Sequence, residues 1–290
     1  MRDHTTQDYS RRIGRVVAFI GKNLDADLAL DRLAEVACFS PYHFHRVYAG
    51  VMGETVTATV VRLRLARAAG DLIKTRLPVA TIARRAGYGS AAAFIRAFRT
   101  HYEETPGSFR RRGNGVRVEP SRPNLVENTA MPNVTIVSTP AYHCAAIDHL
   151  GPYHQIGAAF DRLAAWARPR GLMGLGSHCF GIYYDDPNTV PSAKLRSAAC
   201  LTIGPEVTIE PPLRPVHIPG GRHARLQHKG PYAELEQVYR YLYRTWLPAS
   251  GEQPADAPCF EAYLNDCKSL PPSEWLTDVY LPLAPKSGTG

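Results

Sequence analysis

Apolar residues recur with helical spacing over the first part of the chain. Ile13, Val16, Val17 and Ile20 fall at i, i+3, i+4 and i+7, which predicts an amphipathic first helix. Residues 30–37 predict a short second helix. Ser40 stands at an N-cap position with Pro41 at the first helical place, where a missing N–H costs nothing. Phe44, Val47, Tyr48 and Val51 form the core stripe of that third helix, and Tyr42, His45, Arg46 and Ala49 lie on its opposite face. A long helix follows over about residues 56–75, then a short one at 79–86. Ser90 caps the next, with Phe94, Ala97 and Phe98 inward and Ala92, Ile95, Arg96 and Arg99 outward; Thr105-Pro106 starts a last short helix carrying Phe109.

Part of this pattern occurs twice. Leu33-Ala34-x-x-Ala37-x-Phe39-Ser40-x-x-x-Phe44-x-Arg46-x-Tyr48 returns as Ile82-Ala83-x-x-Ala86-Gly87-Tyr88-Gly89-Ser90-x-x-x-Phe94-x-Arg96-x-Phe98. A short apolar helix, a turn and a Ser-capped helix with one polar face is the pattern of a helix-turn-helix. Two units on a connecting helix roughly 30 Å long match the ~34 Å turn of B-DNA. Charge agrees with a polyanionic partner: residues 1–113 hold 19 Lys and Arg against 10 Asp and Glu, whereas the rest of the chain holds 15 and 16.

The remainder is a second duplication. His149-Leu150-Gly151-Pro152-Tyr153 returns as His228-Lys229-Gly230-Pro231-Tyr232, and Cys179-Phe180-Gly181-Ile182-Tyr183 as Cys259-Phe260-Glu261-Ala262-Tyr263. Each copy predicts strand, helix, strand, strand: near 142–149, after Gly-Pro-Tyr, and near 178–184 and 196–203 in the first; near 222–228, after Gly-Pro-Tyr, and near 258–264 and 276–282 in the second. Two such repeats can pair their sheets around a groove, a usual place for a small ligand. Between the halves, the Gly- and Pro-rich stretch predicts a linker. The expected organisation is multidomain: an all-α double helix-turn-helix domain at 1–113, a linker at 114–131, and an α+β domain of two repeats at 132–284.

Residues Tyr9 to Arg112 resemble the DNA-binding domain of AraC-type transcription regulators, chiefly through Ala83-x-x-Ala86-Gly87-Tyr88-Gly89-Ser90-x-x-x-Phe94-x-Arg96-x-Phe98 and Thr105-Pro106-x-x-Phe109-Arg110. The resemblance implies binding of double-stranded DNA through Pro41, Tyr42, His45 and Arg46 of the first unit and Ser90, Ala92, Ile95, Arg96 and Arg99 of the second, with RNA polymerase as a further partner. Arg46 and Arg96 hold equivalent places, suited to a guanine edge or a phosphate. Ala91, Ala92 and Ala93 offer no hydrogen bonds, so the second unit is expected to bind mainly through Arg96, Arg99 and backbone.

Residues 132–284 resemble the GyrI-like effector-binding domain, through the Gly-Pro-Tyr copies, Tyr183-Tyr184-Asp185-Asp186-Pro187 and Glu274-Trp275-x-Thr277-Asp278-x-Tyr280-x-Pro282-Leu283. This implies a groove for small molecules that are aromatic, often cationic. Glu261 stands where its twin is Gly181 and shares a strand face with Tyr263. It is the candidate partner of a cation, with Tyr263, Tyr153, Tyr232 and Trp275 as stacking walls.

The function expected is therefore a DNA-binding regulator that senses a small effector, not an enzyme. The alternative is a small-molecule hydrolase with Glu261 as general base; a protein-binding role, as in gyrase inhibition, is a third. No G-x-S-x-G, H-E-x-x-H or phosphate-binding glycine loop is present. Six cysteines are scattered without a C-x-x-C pair, so no metal or other cofactor is expected. With no signal peptide and no apolar run long enough to span a membrane, the expected location is the cytoplasm.

Overall fold

The computed structural model describes residues 2–113 and 133–286, apart from residue 175. The stretch expected as a linker, 114–131, lies outside the described residues.

Seven helices build the first half: α1 (Arg2–Lys22), α2 (Leu30–Ala37), α3 (Pro41–Met52), α4 (Val56–Lys74), α5 (Val79–Arg85), α6 (Ala91–Tyr102) and α7 (Pro106–Arg112). Their starts follow the capping residues. The side chains of Ser40, Thr55, Ser90 and Thr105 accept hydrogen bonds from the backbone N–H of Tyr42, Ala58, Ala93 and Ser108. Pro41 and Pro106 sit in the first turn, and α3 ends at Gly53 with φ 72°.

The second half is one curled antiparallel sheet of eight strands in the order β1-β6-β8-β7-β3-β4-β2-β5. The strands are β1 (Val134–Thr139), β2 (Tyr142–Leu150), β3 (Cys179–Tyr183), β4 (Arg196–Thr202), β5 (Arg214–Ile218), β6 (Gly221–Lys229), β7 (Phe260–Tyr263) and β8 (Leu276–Pro282). Helix α8 (Gly157–Ala167) follows β2, and α9 (Leu235–Tyr241) follows β6. A π-helical turn, Leu242–Trp246, continues α9 into α10 (Leu247–Ser250). Each repeat thus contains the strand-helix-strand-strand unit, preceded by a short strand that the repeat pattern does not reveal. Those extra strands cross over: β1 pairs with β6 of the second repeat, and β5 with β2 of the first.

The Gly-Pro-Tyr copies place the two repeat helices. Gly151 and Gly230 hold φ of 135° and 150°, a region closed to L side chains. Their N–H groups bond to the carbonyls of Leu195 and Trp275, fixing each helix start beside the last strand of its repeat. The repeats meet at β3 and β7, where Gly181 lies directly opposite Glu261.

The apolar cores do not follow the two halves. Tyr9, Ile13, Val16, Ile20, Leu33, Phe44 and Val47 from α1–α3 join Leu226, Leu235, Leu242, Tyr243, Leu247 and Leu281 of the second repeat in one buried cluster. The second helix-turn-helix unit has its own core of Leu65, Leu72, Ile82, Phe94, Phe98 and Phe109. The first repeat packs α8 on β2 and β4 through Ile147, Leu163 and Leu201, while the opposite sheet face buries Phe180, Cys200, Val216 and Phe260.

Candidate functional site

A cavity of about 1380 Å³ opens between α8, α9 and the centre of the sheet. Alternation along β3 and β7 turns Gly181, Tyr183, Glu261 and Tyr263 toward it, while Phe180, Ile182, Phe260 and Ala262 face the other way. Glu261 is 3% exposed. Tyr239, from α9, donates to its Oε1 at 3.1 Å, and Tyr263 donates to its Oε2 at 2.9 Å. The Tyr183 and Tyr263 hydroxyls are 2.7 Å apart. With the Tyr263 proton committed to the carboxylate, Tyr183 is the donor of that pair.

Burial pushes the Glu261 carboxyl up to about 7, against the opposing pull of the tyrosine hydroxyls and of Arg46. The group therefore changes charge near neutrality, in a space lined by Tyr153, Phe160, Tyr183, Tyr232, Tyr239 and Tyr263.

Tyr153, Tyr232, Tyr263 and Glu261, expected from the sequence, all line the cavity. Trp275 does not: its ring stacks behind Tyr232 at 4.4 Å, and its indole N–H bonds to the Leu270 carbonyl. It is backing for a wall, placed just before β8. Tyr183 and Tyr239 were not anticipated. The repeat offers a signal for both, since Tyr183 is the twin of Tyr263 and Tyr239 the twin of Phe160. Phe160 packs edge-on against Tyr263 at 5.4 Å. The second repeat thus differs from the first by a hydroxyl at Tyr239 and a carboxylate at Glu261, and these two groups bond to each other.

The two reading helices have opposite fates. Ser90, the cap of α6, is exposed, and on α6 Ala92, Ile95, Arg96 and Arg99 are exposed on the face expected to be outward. On α3, Pro41 is exposed and Tyr42 half-buried, but the rest of the expected solvent face is docked on the C-terminal half. His45 is 8% exposed and its Nδ1 has no partner. The Arg46 guanidinium donates to the Asp185 carbonyl at 3.2 Å and lies over the rings of Tyr239 and Tyr243, at 4.8 Å and 5.5 Å from their centroids. Arg46 is thereby a cavity wall, as are Ala49, Gly50, Gly53, Glu54 and Thr55.

His43 anchors this docking. Its Nε2 donates to the Ala255 carbonyl at 2.9 Å, so its Nδ1 accepts from the Tyr243 hydroxyl at 2.5 Å. Burial lowers the His43 and His45 imidazoles to about 4, so both are neutral at ordinary pH. Tyr9 donates to the Glu252 carbonyl at 3.1 Å and Ser40 to Asp256 Oδ1 at 2.6 Å across the same interface. Helix geometry explains why the sequence did not announce this. Polar residues opposite an apolar stripe look solvent-facing whether their partner is water or a distant tyrosine pair.

Fold and cavity together define a DNA-binding regulator built from a helix-turn-helix half and a small-molecule-binding half. The GyrI-like small molecule binding domain matches residues 132–284, and a helix-turn-helix domain matches residues 33–112. The chain belongs to the GyrI-like family, here joined to an AraC-type DNA-binding domain. It is 32% identical over 155 residues to the DNA gyrase inhibitor of Edwardsiella piscicida, covering 52% of this chain and 97% of that protein. It is 27% identical over 154 residues to the probable transcriptional regulator YgiV of Escherichia coli (strain K12), covering 52% and 96%. It is 32% identical over 101 residues to the bifunctional transcriptional activator/DNA repair enzyme AdaA of Bacillus subtilis (strain 168), covering 35% of this chain and 48% of that one. Among solved structures, the C-terminal domain of EcmrR is similar at 18% identity and a TM-score of 0.44, covering 53% of this chain and 99% of that one. Among the described residues no helix is long and apolar enough to cross a membrane.

Proposed function

We propose that the chain is a transcription regulator whose C-terminal cavity captures an aromatic cation at Glu261 and whose two reading helices address DNA, with RNA polymerase as the downstream partner. The observation that carries this reading is the Glu261 carboxylate, buried in a tyrosine-walled cavity and held by the hydroxyls of Tyr239 and Tyr263. A buried carboxylate without a full positive partner is costly, and a cation with apolar faces relieves that cost while filling the space. The excess positive charge of residues 1–113 and the exposed Arg96 and Arg99 support the DNA half. Both Glu261 oxygens already accept from tyrosines, which favours a counter-ion over a general base.

Trp275, stacked on the wall residue Tyr232, provides the readout. Titration with tetraphenylphosphonium is expected to change tryptophan emission saturably, and Glu261→Gln is expected to abolish the change, with the ligand recovered intact by chromatography. Product formation that disappears in Glu261→Gln would make the cavity an active site instead.

A further inference from the structure

Tyr239 is shared between two partners: its hydroxyl holds Glu261, and its ring face carries the guanidinium of Arg46. Arg46 also lies over Tyr243 and lines the same cavity as Glu261. It is the residue of α3 that, by its equivalence to Arg96, would reach a base edge or a phosphate. We propose that Arg46 is an internal stand-in for the cationic ligand, so that a cation entering the cavity expels Arg46, undocks α3 and frees the first reading helix for DNA.

The inference rests on the function proposed above and adds the coupling between its two halves. In the docked arrangement α3 cannot enter a major groove, because its reading face is turned into the protein: His45 is buried and Arg46 lies over two tyrosine rings. A ligand cation drawn to Glu261 seeks the aromatic faces that Arg46 covers. Two positive charges in one poorly solvated cavity repel, and only the arginine has an alternative partner, the DNA phosphates or bases outside. Cation and docked helix are thus mutually exclusive, whereas cation and DNA favour one another. Linkage makes this reciprocal: a ligand that raises DNA affinity is itself bound more tightly on DNA, by the same factor.

Gly50 isolates the docking step. It lies on α3 where that helix crosses the π-helical turn, and an added Cβ would come within 2.9 Å of the Tyr243 carbonyl oxygen and 3.1 Å of the Arg244 Cα. Both are backbone atoms, which cannot swing aside. Alanine is the better helix former, so Gly50→Ala should keep α3 folded while wedging it off the effector domain.

The test uses the full chain, a duplex selected from randomised DNA on that chain, and tetraphenylphosphonium. The cation is expected to tighten DNA binding of the wild type by about tenfold, a typical size for coupling between sites. Gly50→Ala without cation is expected to bind DNA nearly as tightly as the cation-loaded wild type, and to gain little from the cation. In the absence of DNA, Arg46→Met is expected to bind the cation severalfold more tightly than the wild type, because the competitor is gone. Weaker cation binding by Arg46→Met would make Arg46 a ligand contact and overturn the proposal. Binding of both DNA and cation with neither affecting the other would overturn it too, while leaving the regulator reading intact. A chain that binds neither would overturn both.

Discussion

Gly181 and Glu261 face each other across the ladder between β3 and β7 and are also equivalent positions of the two repeats. The pair therefore lies at the approximate two-fold axis of the domain, and the carboxylate held by the tyrosines stands where the copies disagree. The absence of a side chain at Gly181 leaves the space that the Tyr263 hydroxyl fills: a Cβ there would stand 2.5 Å from that oxygen and 2.9 Å from the Tyr183 ring.

Gly181→Ala should accordingly displace both tyrosines. Overpacking of a tight core typically costs about 1–3 kcal/mol, and the unfolding free energy is expected to fall by that amount. Cation affinity should fall as well, because Tyr263 can no longer hold the carboxylate. Calorimetry of unfolding and of binding would measure the two effects separately.

Ligand affinity should follow the ionisation of Glu261. With the folded carboxyl titrating at about 7, a monovalent aromatic cation should bind about tenfold more weakly at pH 6 than on the plateau above neutrality. Glu261→Gln should bind weakly at every pH. Stability should move in the opposite sense. The folded state holds its proton more tightly than the unfolded chain, so this group's contribution is lost as pH rises from about 4.5 to about 7. The difference between wild-type and Glu261→Gln stability curves should change by on the order of 3 kcal/mol over that window and stay constant above it.

His45 is a buried imidazole whose Nδ1 has no partner, and its folded pKa is lowered to about 4. Its neutral form is favoured by folding, so its contribution is complete above about 6.5 and is lost as pH falls toward 4. His45→Leu should make unfolding less acid-sensitive and add about 1 kcal/mol at neutral pH by removing the unsatisfied nitrogen. Chemical denaturation at pH 4.5 and 7.5 would check both; equal acid sensitivity in the two proteins would show that His45 is solvated.

Arg96 is exposed on α6 and needs no rearrangement to meet DNA. Arg96→Ala should weaken binding nearly uniformly across duplex sequences and lower the salt slope by about 1, if its partner is a phosphate. A panel of single-base variants at two salt concentrations distinguishes this from base reading, which would relax preference at one position.

The helix-turn-helix pair was legible because caps, stripe and turn residues recur together: Ser40 and Ser90 are both N-caps, and Phe44 and Phe94 are both fully buried. The repeat helices and six of the eight strands were legible by the same device. The two missed strands are edge strands. β5 contains Pro215, which lacks a donor for the ladder, and β1 borders the proline- and glycine-rich join. Glu261 was found because duplication provides an internal reference for it. Arg46 has the local pattern of a solvent-facing residue because its aromatic partners, Tyr239 and Tyr243, are some two hundred residues away in sequence, and nothing local distinguishes a docked arginine from a free one.

The exchanged edge strands bear on how such a site can arise at all. Since β1 completes the sheet of the second repeat and β5 that of the first, a chain of one repeat could build the same sheet by trading strands with an identical copy, as a swapped homodimer. In that dimer the axial position faces itself, and an acid placed there would bury two carboxylates side by side. Covalent fusion breaks the identity of the copies, which lets one acid stand alone opposite a glycine.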